Sequence, residues 1–239
     1  MAVSMSMPAA PCPETPHAGL MDQVYRYQRY VYDCTRKYYL FGRDGLIQGL
    51  DLKPGQSLVE IGCGTGRNLI VLARRYPGVR LYGLDASAQM LETARQQIAR
   101  AGLSDRVIVM QGLGENLSAQ LFGQGSFDHA LFSYSLSMIP DWRRALFAAA
   151  AGLSPAGFVH IVDFGDFKNL PGRGLLRAWL RAFHVCPRAE LLERLEQEFC
   201  NVGRALTLLP GRYAFRFSGP KGKMGPLCVA AESRVWVKH

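Results

Sequence analysis

The 239-residue sequence predicts an α/β fold: a doubly wound, seven-stranded sheet preceded by an N-terminal helical lid. Three observations predict it. From Ser57 onward, short apolar runs alternate with helix-length amphipathic segments, the pattern of parallel strands joined by crossover helices. The first run ends in the glycine-rich turn Gly62-Cys63-Gly64-Thr65-Gly66, which leads straight into a helical segment. The second ends in a carboxylate, Asp85, about twenty residues beyond the glycines, the spacing at which such folds place a ribose-binding acid.

Taken in order, strands are expected at Ser57–Gly62, Arg80–Leu84, Val107–Gln111, Phe127–Ser133 and Phe158–Asp163. Helices are expected between them at Asn68–Tyr76, Ser87–Ala101, Gly114–Phe122 and Trp142–Leu153. Asp85 and Ser87 are both good caps for the second of these helices. Two further strands, Val202–Leu209 and Leu227–Val237, flank a Gly/Pro-rich stretch around Gly219–Gly225 and are expected to close the sheet as an antiparallel pair. The connection from Phe164 to Pro187, ahead of an expected helix at Arg188–Phe199, is long for an α/β domain. At the carboxyl end of a central strand such a segment is expected to be functional. Residues 1–19, rich in Pro, Ala, Met and Ser, lack the basic start and apolar core of a secretory signal and are expected to be a disordered extension. Residues 20–239 are expected to form one domain, with 20–50 as the helical lid and 164–187 as an amphipathic insertion at the active-site mouth.

Composition narrows the class. The chain is 49% hydrophobic and 20% charged, as in a soluble globular protein. No apolar stretch reaches the roughly 18 to 20 residues of a membrane span. The six cysteines, Cys12, Cys34, Cys63, Cys186, Cys200 and Cys228, are scattered without metal-ligand spacing, which argues against a zinc site and a disulfide frame and favours a reducing cytoplasm. A net charge of +9 favours an anionic partner. The basic residues form no compact nucleic-acid motif, so nucleic acid is not expected to be that partner.

The segment Leu58-Val-Glu60-Ile-Gly62-Cys-Gly64-Thr-Gly66-Arg-Asn68 carries the most chemistry. Glycines let a ligand approach the backbone closely, and the following helix start offers free N–H groups, so a nucleoside-bearing cofactor suits the turn. The acidic Glu60 and the Gly-x-Gly-x-Gly spacing depart from the dinucleotide fingerprint. This version resembles motif I of the class I S-adenosylmethionine-dependent methyltransferases. The resemblance implies that the cofactor lies across the carboxyl ends of the first, second and fourth strands. Glu60, Gly62, Gly64 and Gly66 would then lie near its methionine half, and Asp85 would bind the ribose hydroxyls. Ala86, Met90, Gly112, Leu113 and Ser133 are further cofactor candidates. Leu113 stands where many such enzymes carry an acid near the adenine, so either Glu115 or a backbone group is expected to meet the adenine amine. After the fourth strand, Ser133-Tyr134-Ser135-Leu136-Ser137-Met138-Ile139-Pro140 would line the transfer site, with Tyr134 its foremost candidate.

The stretch from Met21 to Asp44 holds six tyrosines, of which Tyr25, Tyr32 and Tyr39, with Arg29 and Arg36, fall on one helical face. Tyrosines there can simply pack a cover helix; as a set they can also stabilise a cation, while an arginine takes an anionic group. Asp163 and Asp166 are candidate proton acceptors, and His160 is expected to be a satisfied core histidine rather than a catalytic one. In the long connection, Leu175, Leu176, Trp179, Leu180 and Phe183 form one helical face and Arg173, Arg177, Arg181 and His184 the other, as in an interfacial membrane helix.

Tyr32-Asp33-Cys-Thr35-Arg36-Lys-Tyr38-Tyr39-Leu-Phe-Gly42-Arg43-Asp44, together with motif I, Ser133–Pro140, His160-Ile-Val-Asp163-Phe-Gly-Asp166 and Ala182-Phe-His-Val-Cys-Pro-Arg-Ala189, closely resembles the bacterial methyltransferases that complete betaine-lipid synthesis. The resemblance covers nearly everything after residue 20. It implies an N-methyltransferase that trimethylates the amine of diacylglycerylhomoserine, releasing three S-adenosylhomocysteines. It further implies Tyr25, Tyr32, Tyr134 and Asp163 as catalytic residues, Tyr32 and Arg36 at the cofactor, and no metal. The expected partners are a lipid amine, a membrane surface reached through the basic amphipathic helix, and the 3-amino-3-carboxypropyl transferase of the same pathway. The expected location is the cytoplasm, peripherally on the inner membrane. A phosphatidylethanolamine N-methyltransferase is the nearest rival, a small-molecule methyltransferase the next. A non-catalytic S-adenosylmethionine-binding or nucleic-acid-binding protein is the alternative of another class.

Overall fold

The computed structural model describes Leu40, residues 42–165, Phe167, residues 170–182, 185–187, 206–208 and 213–221. Across these the chain forms helix α1 (Arg43–Gln48), strand β1 (Ser57–Ile61), α2 (Arg67–Arg75), β2 (Arg80–Asp85), α3 (Ala88–Arg100), β3 (Val107–Gln111), β4 (Phe127–Ser133), α4 (Trp142–Ala151), β5 (Leu153–Phe164), α5 (Arg173–Ala182), β6 (Leu206–Leu208) and β7 (Ala214–Pro220). The strands make one sheet in the order β3-β2-β1-β4-β5-β7-β6. β1 to β5 run parallel, and β7 lies antiparallel to both β5 and β6. The order turns back at β1, between β2 and β4, and a ligand crevice is expected there in an open α/β sheet.

Side chains alternate across the sheet with the period of a strand. Val59, Ile61, Tyr82, Leu84, Ala130, Phe132, Ile161, Phe215 and Phe217 pack on one face with Trp142, Ala145 and Leu146 of α4. Leu58, Leu81, Leu131, Val162 and Ala214 pack on the other with Leu69 and Leu72 of α2 and Leu91, Ala94 and Ile98 of α3. Both faces are covered, which is why the strands read as near-continuous apolar runs. Local signals start the helices: Ser87 Oγ accepts from the Met90 N–H at the head of α3, and Asp141 caps α4 through the Arg144 N–H.

Three expectations need correction. The helix expected at Gly114–Phe122 is two short 3-10 turns, Gly114–Asn116 and Ala119–Phe122, interrupted at Leu117 by extended backbone. Gly114, Asn116 and Ser118 compete with helix, and Ser118 Oγ bonds the Gln120 N–H instead. The strand closing the sheet is Ala214–Pro220, inside the stretch expected to be a connector. Phe215 and Phe217 point to the core while Arg216 and Ser218 alternate with them, a period-two pattern that outweighs its Gly and Pro. The expected strand Leu227–Val237 and helix Arg188–Phe199 lie outside the described residues, as does the extension 1–19. Cys186 is disulfide-bonded, against the expectation of unpaired thiols; its partner lies outside the described residues.

Of the expected lid, residues 20–39 lie outside the described residues. Its described end, Leu40 with Leu46 and Ile47 of α1, belongs to the core. Asp44 of α1 receives both guanidinium nitrogens of Arg67, the first residue of α2, at 2.8 and 3.2 Å. This bidentate pair ties α1 to the glycine turn.

His160 is a core histidine within a hydrogen-bonded line that crosses the sheet. Its Nε2 lies 3.0 Å from His129 Nδ1, its Nδ1 lies 2.9 Å from Ser218 Oγ, and His129 Nε2 lies 3.2 Å from Gln56 Oε1. Since Gln56 Oε1 only accepts, His129 Nε2–H donates to it, His160 Nε2–H donates to His129 and the Ser218 hydroxyl donates to His160. Both rings are neutral in this arrangement. Burial, reinforced by His129, pushes His160 down to about 3, and burial also lowers His129. Between about 3 and the ordinary value of 6.5 the unfolded chain binds more protons than the folded one. Stability from this line is therefore complete above about pH 6.5 and drains away as pH falls toward 3. Melting temperatures at pH 7 and pH 4.5 should fall less between the two for His160→Gln than for the parent; equal falls would refute this account.

Candidate active site

At the carboxyl ends of β1, β2 and β4 the surface opens into a cleft lined by residues of all three strand ends and the loops that follow them. Its floor is the glycine turn. Gly62 sits at φ 75°, where a side chain is strained, and an added Cβ there would stand 2.5 Å from that of Ser135. Gly66, at φ 77°, caps α2 and lies 3.2 Å, measured from its ideal Cβ, from the Cβ of Ala94 on α3. The first glycine thus admits the loop after β4, and the last admits a neighbouring helix.

Asp85 organises the centre of the cleft. Its Oδ2 accepts the Gly64 N–H at 2.7 Å and its Oδ1 the Ser87 N–H at 2.9 Å. Asp85 also lines the cleft, and a carboxylate has about four acceptor positions in all. Leu84, Met90, Leu113 and Ile139 give the cleft an apolar lining, to which Glu115 adds a carboxylate. Glu115 Oε2 is buried without a hydrogen-bond partner among the described residues. Gly62, Tyr134, Ser135 and Met138 line it as well, with Ser135 against Gly62.

The structure brings Gly62, Gly64, Asp85, Ala86, Met90, Gly112, Leu113 and Tyr134 together around the cleft, as the sequence reading placed them. It sets four others elsewhere. Glu60 is 1% exposed and lies beneath the turn, accepting the Asn68 amide at 2.6 Å. It braces the start of α2, because its alternation along β1 directs it toward that helix rather than into the cleft. Gly66 serves packing, and Ser133 is buried outside the cleft wall. Asp163 is 2% exposed and accepts the Ser137 N–H at 3.0 Å and the Phe164 N–H at 2.7 Å. It fastens the loop after β4 to β5 and does not line the cleft. Tyr25, Tyr32, Arg36 and Asp166 lie outside the described residues.

Tyr134 reaches the cleft wall from a kinked backbone. Its backbone is left-handed at φ 56°, an uncommon conformation for a bulky residue. The Tyr134 N–H still continues the sheet to the Val162 carbonyl at 2.7 Å. Its ring packs edge-on against Phe164, with centroids 4.8 Å apart. Burial, then the nearby Asp163 and Tyr213, hold the phenol well above its ordinary pKa. It stays protonated at neutral pH and shapes the cleft wall. Cys63, in the turn, is likewise kept as a thiol by burial and by Asp85 and Glu60.

Sequence reasoning left Ile61, Leu84 and Gly114 out of the site. They line it because strand ends and a 3-10 turn converge, a signal carried by no motif. Among the described residues no cluster of three or more His, Cys, Asp or Glu is arranged to hold a metal, and no helix is long and apolar enough to cross a membrane.

Comparison with known proteins agrees with this geometry. A family model described as a methyltransferase domain matches residues 58–157. The 2-phytyl-1,4-naphtoquinone methyltransferase of Trichormus variabilis is 27% identical over 186 residues, spanning 75% of this chain and 79% of the relative. The demethylmenaquinone methyltransferase of Desulfitobacterium hafniense is 29% identical over 147 residues, 59% of this chain and 56% of the relative. Among solved structures, a SAM-dependent methyltransferase from Aquifex aeolicus superposes with a TM-score of 0.57 at 20% identity, covering 80% of this chain and 95% of that one. A Haloferax volcanii methyltransferase, solved with its Trm112 activator, gives a TM-score of 0.66 at 17% identity, covering 84% and 98%. The fold is the class I methyltransferase fold, and the cofactor is S-adenosyl-L-methionine.

The cleft suits that molecule. The apolar lining would hold the adenine, and either Glu115 or a backbone group would meet its amine. Asp85 would take the ribose hydroxyls, and Gly62 and Gly64 would leave room for the methionine portion. When bound, the cofactor supplies a methyl group activated on a sulfonium. Asp85→Asn should weaken S-adenosylmethionine binding by about 10- to 100-fold in calorimetry, the loss expected for hydrogen bonds to a charged group. Unchanged affinity would mean that Asp85 serves only the turn.

Proposed function

We propose that this S-adenosylmethionine-dependent methyltransferase trimethylates the amine of diacylglycerylhomoserine, working at a membrane surface. The observation that carries the reading is the outer side of α5. Leu175 is 80% exposed and Trp179 44% exposed, beside the exposed Arg173 and Arg181. The apolar face expected of this helix is divided: Leu180 is buried and Leu176 packs on the core, which seats the helix, while Leu175 and Trp179 remain outside. Exposed apolar groups flanked by arginines suit the interface of an anionic membrane.

This helix stands next to the cleft. The Val185 N–H bonds the Leu180 carbonyl, and the Cys186 N–H bonds the Ser137 carbonyl at 2.8 Å, on the loop whose Ser135, Met138 and Ile139 line the cleft. A lipid held by its tails near α5 has only a short path for its headgroup. The tyrosine-rich segment and Arg36 would then face the amine and its neighbouring carboxylate. We place the enzyme on the cytoplasmic face of the membrane, receiving its acceptor from a 3-amino-3-carboxypropyl transferase.

Methylation of an amine needs a neutral nitrogen lone pair, so positioning and exclusion of water supply most of the acceleration. The side chains lining the cleft fit this demand: Tyr134 stays protonated, and the carboxylates Asp85 and Glu115 stand at the ribose and adenine portions. A second reading is transfer to a ring carbon of a quinone-type acceptor, favoured by the names of the relatives from Trichormus variabilis and Desulfitobacterium hafniense. It too has an acceptor with a long hydrocarbon chain, but it calls for a base to release ring electrons.

Mass spectrometry separates the readings. Incubation with S-adenosylmethionine and micelles containing diacylglycerylhomoserine, phosphatidylethanolamine or demethylmenaquinone should add one to three methyls to the homoserine lipid alone. Gain only on the quinone would replace the amine reading. Replacing Leu175 and Trp179 together by serine should lower sedimentation with anionic vesicles by about tenfold or more, given the transfer energy of two large apolar side chains. Cofactor binding should not change, and undiminished sedimentation would rule α5 out as the membrane contact.

A further inference from the structure

Three serine hydroxyls within five residues, those of Ser133, Ser135 and Ser137, are buried without a hydrogen-bond partner among the described residues. Leaving such a group unsatisfied is costly, so each demands an explanation. Ser133 and Ser137 face the interior. Ser135 alone of the three lines the cleft. It is 6% exposed, and its Cβ packs on Gly62, which could not carry a side chain in that place.

The position of Ser135 limits what its hydroxyl meets. With Asp85 read as the ribose acid, Ser135, packed on Gly62 of the glycine turn and next to Tyr134 in the cleft wall, would stand near the methionine half of the donor. Its backbone is fixed: the Ser135 carbonyl accepts the N–H groups of both Met138 and Ile139 at 3.0 Å. Asp163 and Val162 hold the residues on either side. The hydroxyl is therefore a preset polar group on a wall that is otherwise glycine, tyrosine and methionine.

We propose that Ser135 Oγ accepts an N–H of the incoming amine and turns its lone pair toward the donor methyl. This rests on the amine reading given above. Each transfer forms one N–C bond and breaks one C–S bond, whose electron pair stays on sulfur. After the first and second transfers the new ammonium releases a proton to water, restoring a lone pair; after the third there is no N–H left to release. A neutral primary amine carries two N–H groups, its monomethyl derivative one, and its dimethyl derivative none. Ser135 thus assists the first two methylations and has nothing to accept in the third.

The test compares the full-length enzyme and Ser135→Ala, which keeps the Cβ packed on Gly62 and removes only the oxygen. Single-turnover rates are measured with S-adenosylmethionine and micelles of diacylglycerylhomoserine or its N-methyl or N,N-dimethyl derivative, with cofactor affinity and melting temperature as controls. The expected result is a slowing of about 3- to 10-fold for the first two acceptors, the range of one neutral hydrogen bond, with the dimethyl acceptor unaffected. Equal slowing on all three, no slowing on any, or a loss of cofactor affinity would overturn the role of Ser135 while leaving the amine reading in place. Failure of the parent enzyme to methylate any of the three would overturn both.

Discussion

Two turns that are distant in sequence meet on one carboxylate. The Gly64 N–H from the turn after β1 and the Ser87 N–H from the start of α3 both end on Asp85, at the tip of β2. The glycine turn is otherwise tied to Leu84 through the Gly62 and Cys63 N–H groups, and the helix start is held by Ser87 Oγ on the Met90 N–H. The carboxylate joins these two walls of the cleft. Hydrogen bonds to an ionised acceptor are about twice as strong as neutral ones, and this pair stands in a part-buried place where water competes poorly. The same group is positioned to select a ribose, so the geometry of the floor and recognition of the ligand are inseparable.

The loop after β4 is held by a different device. Tyr134 takes a left-handed backbone conformation, which costs energy in a tyrosine. The surroundings fix it: its N–H extends the ladder to Val162, its ring lies against Phe164, and the next turn is pinned to Asp163. The strained kink aims Ser135 at Gly62 and brings Met138 and Ile139 over the cleft. Asp163, which reads from sequence as a proton acceptor, works here as a clamp, and its two backbone partners explain why an acid is kept inside a strand.

The ends of the domain serve separate purposes. Toward the amino half of the sheet the histidine line joins Gln56, His129, His160 and Ser218, coupling β5 and β7 to the start of β1 without charge. Toward the carboxyl ends Asp85, Glu115 and Ser135 line the cleft. One neutral network thus braces the sheet away from the cleft, and the polar groups of the cleft gather where a ligand would bind.

The alternating strands, the capped helices α3 and α4, the glycine turn and Asp85 were all legible in the sequence, because each depends on residues close together in the chain. Local patterning fixes which residues can be strand, cap or turn, and it identifies the cofactor class through the spacing of a few backbone-permissive and acidic positions. It could not show that Glu60 lies under the turn, that Asp163 is a clamp, that the closing strand is Ala214–Pro220, or that α5 turns Leu176 and Leu180 inward and Leu175 and Trp179 outward. Those outcomes depend on which face of each element meets a neighbour far away in sequence. The sequence alone determined the α/β architecture and a turn suited to a nucleoside-bearing cofactor; the tertiary structure decided which side chains line the cleft, since only packing sets the direction in which a residue points.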